Sequence, residues 1–144
     1  MSEQQRFFCP RCDHELTSAD GRSIRLVGRL RGDGFSVLAR FDIPSGLGVY
    51  GAEWDAYLAL EEGCRVEFLC PACTQAFTTS YDPRLAEIKM TQGARTFVVV
   101  FNRVYGAHSS FVIDYVERKL VASYGEHADD YVHEFGKNLN FFGT

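Results

Sequence analysis

The stretch IRLVGRLRGDGFSVLARFDI, residues 24–43, decides how the chain is read. Ile24, Leu26, Gly28 and Leu30 alternate with Arg25, Val27, Arg29 and Arg31. After a glycine-rich turn signal, Phe35, Val37, Ala39, Phe41 and Ile43 repeat at the same period of two. Successive strand side chains point to opposite faces, so this pattern predicts a β-hairpin with one apolar face. Asp33-Gly34 is a strong two-residue hairpin turn, and Gly32-Asp33 could equally occupy the loop.

With Gly32-Asp33 in the loop, Leu30 faces Phe35, Gly28 faces Val37, Leu26 faces Ala39 and Ile24 faces Phe41. The other face then gathers Arg25, Arg29, Arg31 and Arg40, with Arg25 directly across from Arg40. Like charges opposed on a sheet repel, so a carboxylate or a bound anion is expected to compensate. Residues 22–40 hold five Arg and one Asp within a chain whose net charge is −4. Arginine is suited to planar, two-pronged anion recognition. Three readings of this face are open: a solvated face with acidic neighbours, a nucleic-acid or phosphate surface, and a protein interface. The hairpin aromatics Phe35 and Phe41 fall on the core face. No base-stacking platform is visible, which disfavours nucleic acid.

On either side of the hairpin sit CPRC at residues 9–12 and CPAC at residues 70–73. Two residues between cysteines let one tight turn present both sulfurs to one ion, and two such turns complete a tetrahedral shell. The expected ligands are Cys9, Cys12, Cys70 and Cys73, and the expected ion is zinc, with iron as the minor alternative. Pro10 and Pro71 fill the same slot and fix φ there. Four thiolates leave no open coordination position, so the role is structural. The site would carry excess negative charge, and Arg11 is placed to offset it. A pair of dithiol redox switches is the competing reading. Cys64, the fifth cysteine, reads as a small buried hydrophobe.

These C-P-x-C turns resemble those of the zinc-ribbon and rubredoxin-knuckle group. The likeness covers residues 9–16 and roughly 64–80, and it implies metal binding only. The group usually has glycine after the second cysteine, where the backbone turns left-handed. This chain has Asp13 and Thr74 there. Asp tolerates that conformation better than Thr, so the second knuckle is expected to be distorted. Residues 13–69 separate the pairs, which makes the hairpin an insertion.

Elsewhere, residues 1–8 are expected to fray and 44–51 to form a connecting loop. Short helices are expected over 52–61 and 128–135, and a strand over 65–69. Phe97 to Phe101 is apolar on both faces, as a central strand would be. Residues 111–116 and 120–124 read as a meander. Their rival is a helix through Ile113, Val116, Leu120 and Tyr124, capped by Ser110. β-Branched and aromatic content favours strands.

With 144 residues, 46% of them hydrophobic and including 12 Phe and 7 Tyr, the chain can bury a sizeable core. The expected fold is mainly β. A zinc-ribbon-like region with an inserted hairpin, residues 1–81, is followed by a β-meander region with one or two short helices, residues 82–144, and the two share one core. No apolar run reaches signal-peptide or membrane-spanning length, so a cytoplasmic protein without membrane contact is expected. No nucleophile elbow, phosphate loop or dinucleotide fingerprint occurs. The expected function is a non-enzymatic, zinc-stabilised interaction or regulatory protein with protein partners, a second copy of itself included. The alternatives are a nucleic-acid-binding accessory protein using the arginine face, a thiol redox switch, and an enzyme using the acid and histidine cluster at residues 126–134.

Overall fold

The computed structural model describes residues 5–32, 35–46, 51–54, 63–79, 81–104 and 109–125. Among the described residues nine strands follow in order: β1 (Gln5–Phe8), β2 (Ser23–Gly32), β3 (Phe35–Pro44), β4 (Glu53–Trp54), β5 (Glu67–Leu69), β6 (Leu85–Gln92), β7 (Arg95–Asn102), β8 (Ser110–Asp114) and β9 (Leu120–Tyr124). They form two antiparallel sheets, ordered β1-β6-β7-β8-β9 and β4-β3-β2-β5. Among the described residues there is no helix. The helix expected over 52–61 meets strand β4 at its start and otherwise lies outside the described residues, as does the one expected over 128–135.

The hairpin forms with a register different from the one that opposes Arg25 to Arg40. Gly32 pairs with Phe35, Leu30 with Val37, Gly28 with Ala39, Leu26 with Phe41 and Ile24 with Ile43. This is the register an Asp33-Gly34 turn requires. The slide is by two residues, so every side chain keeps its face and only its partner changes. Two physical terms favour it. Arg25 now lies across from Asp42 instead of Arg40, turning a repulsion into an attraction. Gly28 also leaves room for the Phe41 ring, since a Cβ on Gly28 would overlap that ring and stand 2.9 Å from Val66. Phe41 packs edge-on against Phe68 at 5.4 Å and at a 31° tilt against Trp54 at 5.9 Å.

Of the residues expected to fray, Gln5–Phe8 instead pair with β6, and Phe7 is fully buried; residues 1–4 lie outside the described residues. β6 was not expected, although Ala86, Ile88 and Met90 alternate with Glu87, Lys89 and Thr91 and are buried. It turns through Gly93, whose φ of 61° suits a tight hairpin, into β7. β7 is the middle strand, and its Phe97 to Val100 are buried on both faces. Residues 110–114 and 120–124 are strands, so the meander reading holds, with the first strand ending two residues earlier than expected. Asp114 Oδ1 accepts hydrogen bonds from the Val116 and Glu117 N–H groups and sets the turn between them. Val116, which the helical alternative would bury, is 86% exposed.

One buried cluster joins the sheets. Ile24, Leu26, Phe41 and Phe68 from one meet Phe7, Ile88, Met90, Val99 and Val112 from the other. A second cluster, with Leu85, Val100, Phe111 and Ile113, fills the opposite face of the five-stranded sheet. Burying such side chains stabilises by about 1.5–3 kcal/mol each. The backbone links the sheets as well. Residues 15–17 bridge to β1 through Phe8–Glu15 and to β2 through Thr17–Ile24.

Candidate metal centre

Each knuckle is a turn at the end of a strand. The first follows β1 and the second follows β5, so the two hang from different sheets. Their hydrogen bonds correspond one for one. The Cys9 N–H donates to the His14 carbonyl at 2.9 Å and the Asp13 N–H to the Cys9 carbonyl at 3.0 Å. In the second knuckle the Cys70 N–H donates to the Gln75 carbonyl at 3.0 Å and the Thr74 N–H to the Cys70 carbonyl at 2.9 Å. The N–H groups of Arg11 and Ala72 point at the sulfurs of Cys9 and Cys70, at 3.4 and 3.3 Å. Beneath the turns, the Leu16 N–H bonds the Phe7 carbonyl and the Phe77 N–H bonds the Phe68 carbonyl. All four of these residues are buried.

Both residues after the second cysteine are left-handed, Asp13 at φ 65° and Thr74 at φ 61°. The expected distortion of the second knuckle does not occur. Thr74 adopts the conformation that glycine would adopt more cheaply, and its hydroxyl donates to the Cys73 carbonyl at 2.6 Å.

The result is a four-cysteine cluster of Cys9, Cys12, Cys70 and Cys73, with all four sulfurs within 4.8 Å of one another. The Cys9–Cys73 and Cys12–Cys70 sulfurs lie 3.8 and 3.6 Å apart. A tetrahedron with metal–sulfur bonds of about 2.3 Å has edges of about 3.8 Å. A disulfide needs sulfurs about 2.05 Å apart, and all four cysteines are free. The group could therefore hold a metal ion such as zinc. Burial pushes the Cys70 thiol up to about 12, so a thiolate there calls for a cation beside it. The hydrogen bond from the Gln75 backbone, foremost, holds Cys73 below the usual thiol range.

The surrounding charges are arranged differently from the sequence expectation. The guanidinium of Arg11 reaches Thr78 Oγ1 at 3.1 Å, linking the first knuckle to the segment leaving the second. Lys89 of β6 pairs with Asp13. Arg6 grips Glu15 through two hydrogen bonds, of 2.9 and 2.6 Å, across the base of the first knuckle. The Thr17 hydroxyl accepts from the Phe7 N–H at 2.7 Å. None of these supports stood out in the sequence, because each depends on which strand returns beside which. His14 is exposed and stands outside the sulfur cluster. Cys64 is also outside it, half-buried against the shared core.

Arg25, Arg29 and Arg40 do share a face of the hairpin, but carboxylates temper it. Arg25 Nε lies 3.6 Å from Asp42 Oδ1, an ion pair too long for a hydrogen bond. That oxygen is buried and accepts no hydrogen bond. Arg29 pairs with Glu67 of β5, its Nε at 2.6 Å. Arg40 is exposed and stands across from Val27. Arg31 stands across from Ser36 near the hairpin end. The acid and histidine cluster at 126–134, including Asp129 and His133, lies outside the described residues.

Comparison with family models, curated proteins and solved structures finds no match to this chain.

Proposed function

We propose that Cys9, Cys12, Cys70 and Cys73 hold one structural zinc ion, and that the protein is a non-enzymatic interaction or regulatory module of the cytoplasm. The observation that carries this reading is the matched pair of knuckles on different sheets, converging on one point. Bound there, zinc would supply positive charge and four bonds tying the sheet edges together. The chain's part is to aim the sulfurs, through the left-handed turns at Asp13 and Thr74 and the N–H groups of Arg11 and Ala72. A shell of four thiolates keeps no position for water or substrate. Iron suits the same four sulfurs and is the minor alternative.

An interaction role is supported by the exposed apolar residues at the β8–β9 hairpin, Tyr115, Val116 and Val121. Protein partners, a second copy included, suit such a surface. Native mass spectrometry of protein purified without chelator, beside a Cys70→Ser variant, tests the reading. One zinc per chain, lost in the variant, is the expected result. Iron would be recognised by its mass and its visible absorption. A metal-free chain whose cysteine pairs cycle between dithiol and disulfide would overturn the structural reading in favour of a thiol switch. The same spectra report the oligomeric state.

A further inference from the structure

The four sulfur-bearing residues of the metal centre are not equally sheltered. Cys9 and Cys70 are buried, Cys73 is half-buried and Cys12 is exposed. The difference follows from where each stands. Cys9 and Cys70 directly follow β1 and β5 and belong to the core that joins the sheets. Cys73 packs against that core. Cys12 stands in a run of exposed residues from Pro10 to His14.

The sulfurs also meet across the knuckles. Cys12 Sγ lies 3.6 Å from Cys70 Sγ, and Cys9 Sγ lies 3.8 Å from Cys73 Sγ. A sulfur reacts with an oxidant when it is a thiolate and can be reached. Zinc ligation makes all four of them thiolates, so access is what distinguishes them, and Cys12 has it.

We propose that Cys12 is an oxidation site of the zinc-loaded protein, that its reactant is hydrogen peroxide, and that it closes a disulfide with Cys70. The inference rests on the zinc reading above. The Cys12 thiolate attacks one peroxide oxygen. An S–O bond forms, the O–O bond breaks, hydroxide leaves, and Cys12 becomes a sulfenic acid. The Cys70 thiolate then attacks the Cys12 sulfur. The S–S bond forms, the S–O bond breaks, and a second hydroxide leaves. Each thiolate has lost one electron and the peroxide has gained both. Cys9 and Cys73 remain as ligands where a closed site needs four, so the ion is lost. The new bond joins the knuckles that follow β1 and β5. Oxidation thus exchanges one link between the sheets for another.

The test treats zinc-loaded protein, its metal content measured first, with one equivalent of hydrogen peroxide. Zinc release is followed with a coloured chelator, and modified cysteines are mapped by peptide mass spectrometry. Dimedone, present in one arm, traps sulfenic acid. Trapping is expected at Cys12, and without dimedone a Cys12–Cys70 disulfide is expected. Cys12→His keeps a zinc ligand in place. It is expected to slow release by about tenfold or more, because imidazole forms no sulfenic acid and the other cysteines are more sheltered. Cys64→Ser is expected to change nothing, since Cys64 stands outside the cluster. A chain that carries no metal defeats the zinc reading and this inference together. A zinc-loaded chain overturns the inference alone if it keeps its ion under peroxide, is trapped first at Cys9, Cys70 or Cys73, or closes Cys9–Cys12 instead. A loaded Cys12→His variant that releases zinc as fast as the parent does the same. Mapping on the parent decides the matter where that variant does not load.

Discussion

The first knuckle ends β1 at the edge of the five-stranded sheet, and the second ends β5 at the edge of the four-stranded one. They make the same backbone hydrogen bonds. They differ in what holds the left-handed residue. Asp13 tolerates that conformation and is anchored by Lys89 of β6. Thr74 is β-branched and bonds only its neighbour's carbonyl through its hydroxyl. A β-branched residue there costs on the order of 1–3 kcal/mol. The base differs too: Glu15 is clamped by Arg6, where the second knuckle has Ala76 at the matching bridge. Two turns can thus reach one geometry by different means, one relaxed and braced, the other strained. The shared requirement is the point on which their sulfurs converge.

The largest effect should come from removing a sulfur on either side. Cys9→Ser and Cys70→Ser should each abolish metal binding and cost most of the folding free energy. Structural zinc sites contribute on the order of 10 kcal/mol or more. Metal analysis with thermal melting would show it. If one variant kept its ion and its melting temperature, the knuckles would not be equivalent ligand pairs.

A smaller loss is expected from Gly28→Ala, which sets a methyl group into the Phe41 ring. Overpacking of this kind costs about 1–3 kcal/mol. Melting should fall while the zinc stoichiometry stays at one, because the change strikes the sheet that carries the second knuckle and not the sulfurs. Loss of metal in that variant would show that the hairpin, not the turn, aims Cys70.

The strain difference is sharpened by glycine at the two left-handed positions. Thr74→Gly should stabilise the metal-bound protein by about 1 kcal/mol, measured by denaturant titration. Asp13→Gly should gain less or lose stability, because it removes the Lys89 pair. Equal gains from both would erase the distinction drawn here.

The smallest effect concerns acid. Arg6, through its hydrogen bonds foremost, depresses the Glu15 carboxyl in the folded protein. The sign follows from linkage. The pair's contribution is present above the unfolded carboxylate value of about 4.3 and is lost as pH falls through the lower folded value. Stability of Glu15→Ala should therefore fall less steeply below pH 5 than that of the parent, compared at matched metal occupancy. Parallel curves would show that the brace adds nothing.

Much of this was legible before any coordinates. The period of two in residues 24–43 marks a hairpin because alternate burial is a local property of an extended chain, and the unbroken apolar run at 97–101 marks a strand covered on both faces. β6 carries the same alternation at Ala86, Ile88 and Met90, but Glu87, Lys89 and Gln92 dilute its apolar content. Its burial comes from β1 and β7 on either side, not from its own composition. The register of the hairpin was harder for a related reason. Both turns are chemically sound, and Asp42 and Phe41 decide between them through contacts made across the strands.

The sequence by itself picked out the four cysteines that cluster and the tight turn that each pair makes, because two cysteines two residues apart constrain a single turn whatever surrounds it; the left-handed conformation that Thr74 adopts was not foreseen. Only the tertiary structure decided that the turns belong to different sheets and that Arg25 faces Asp42. Those features depend on which distant segments lie side by side, and that is set by burying Phe7, Phe41, Phe68 and Met90 in one shared core.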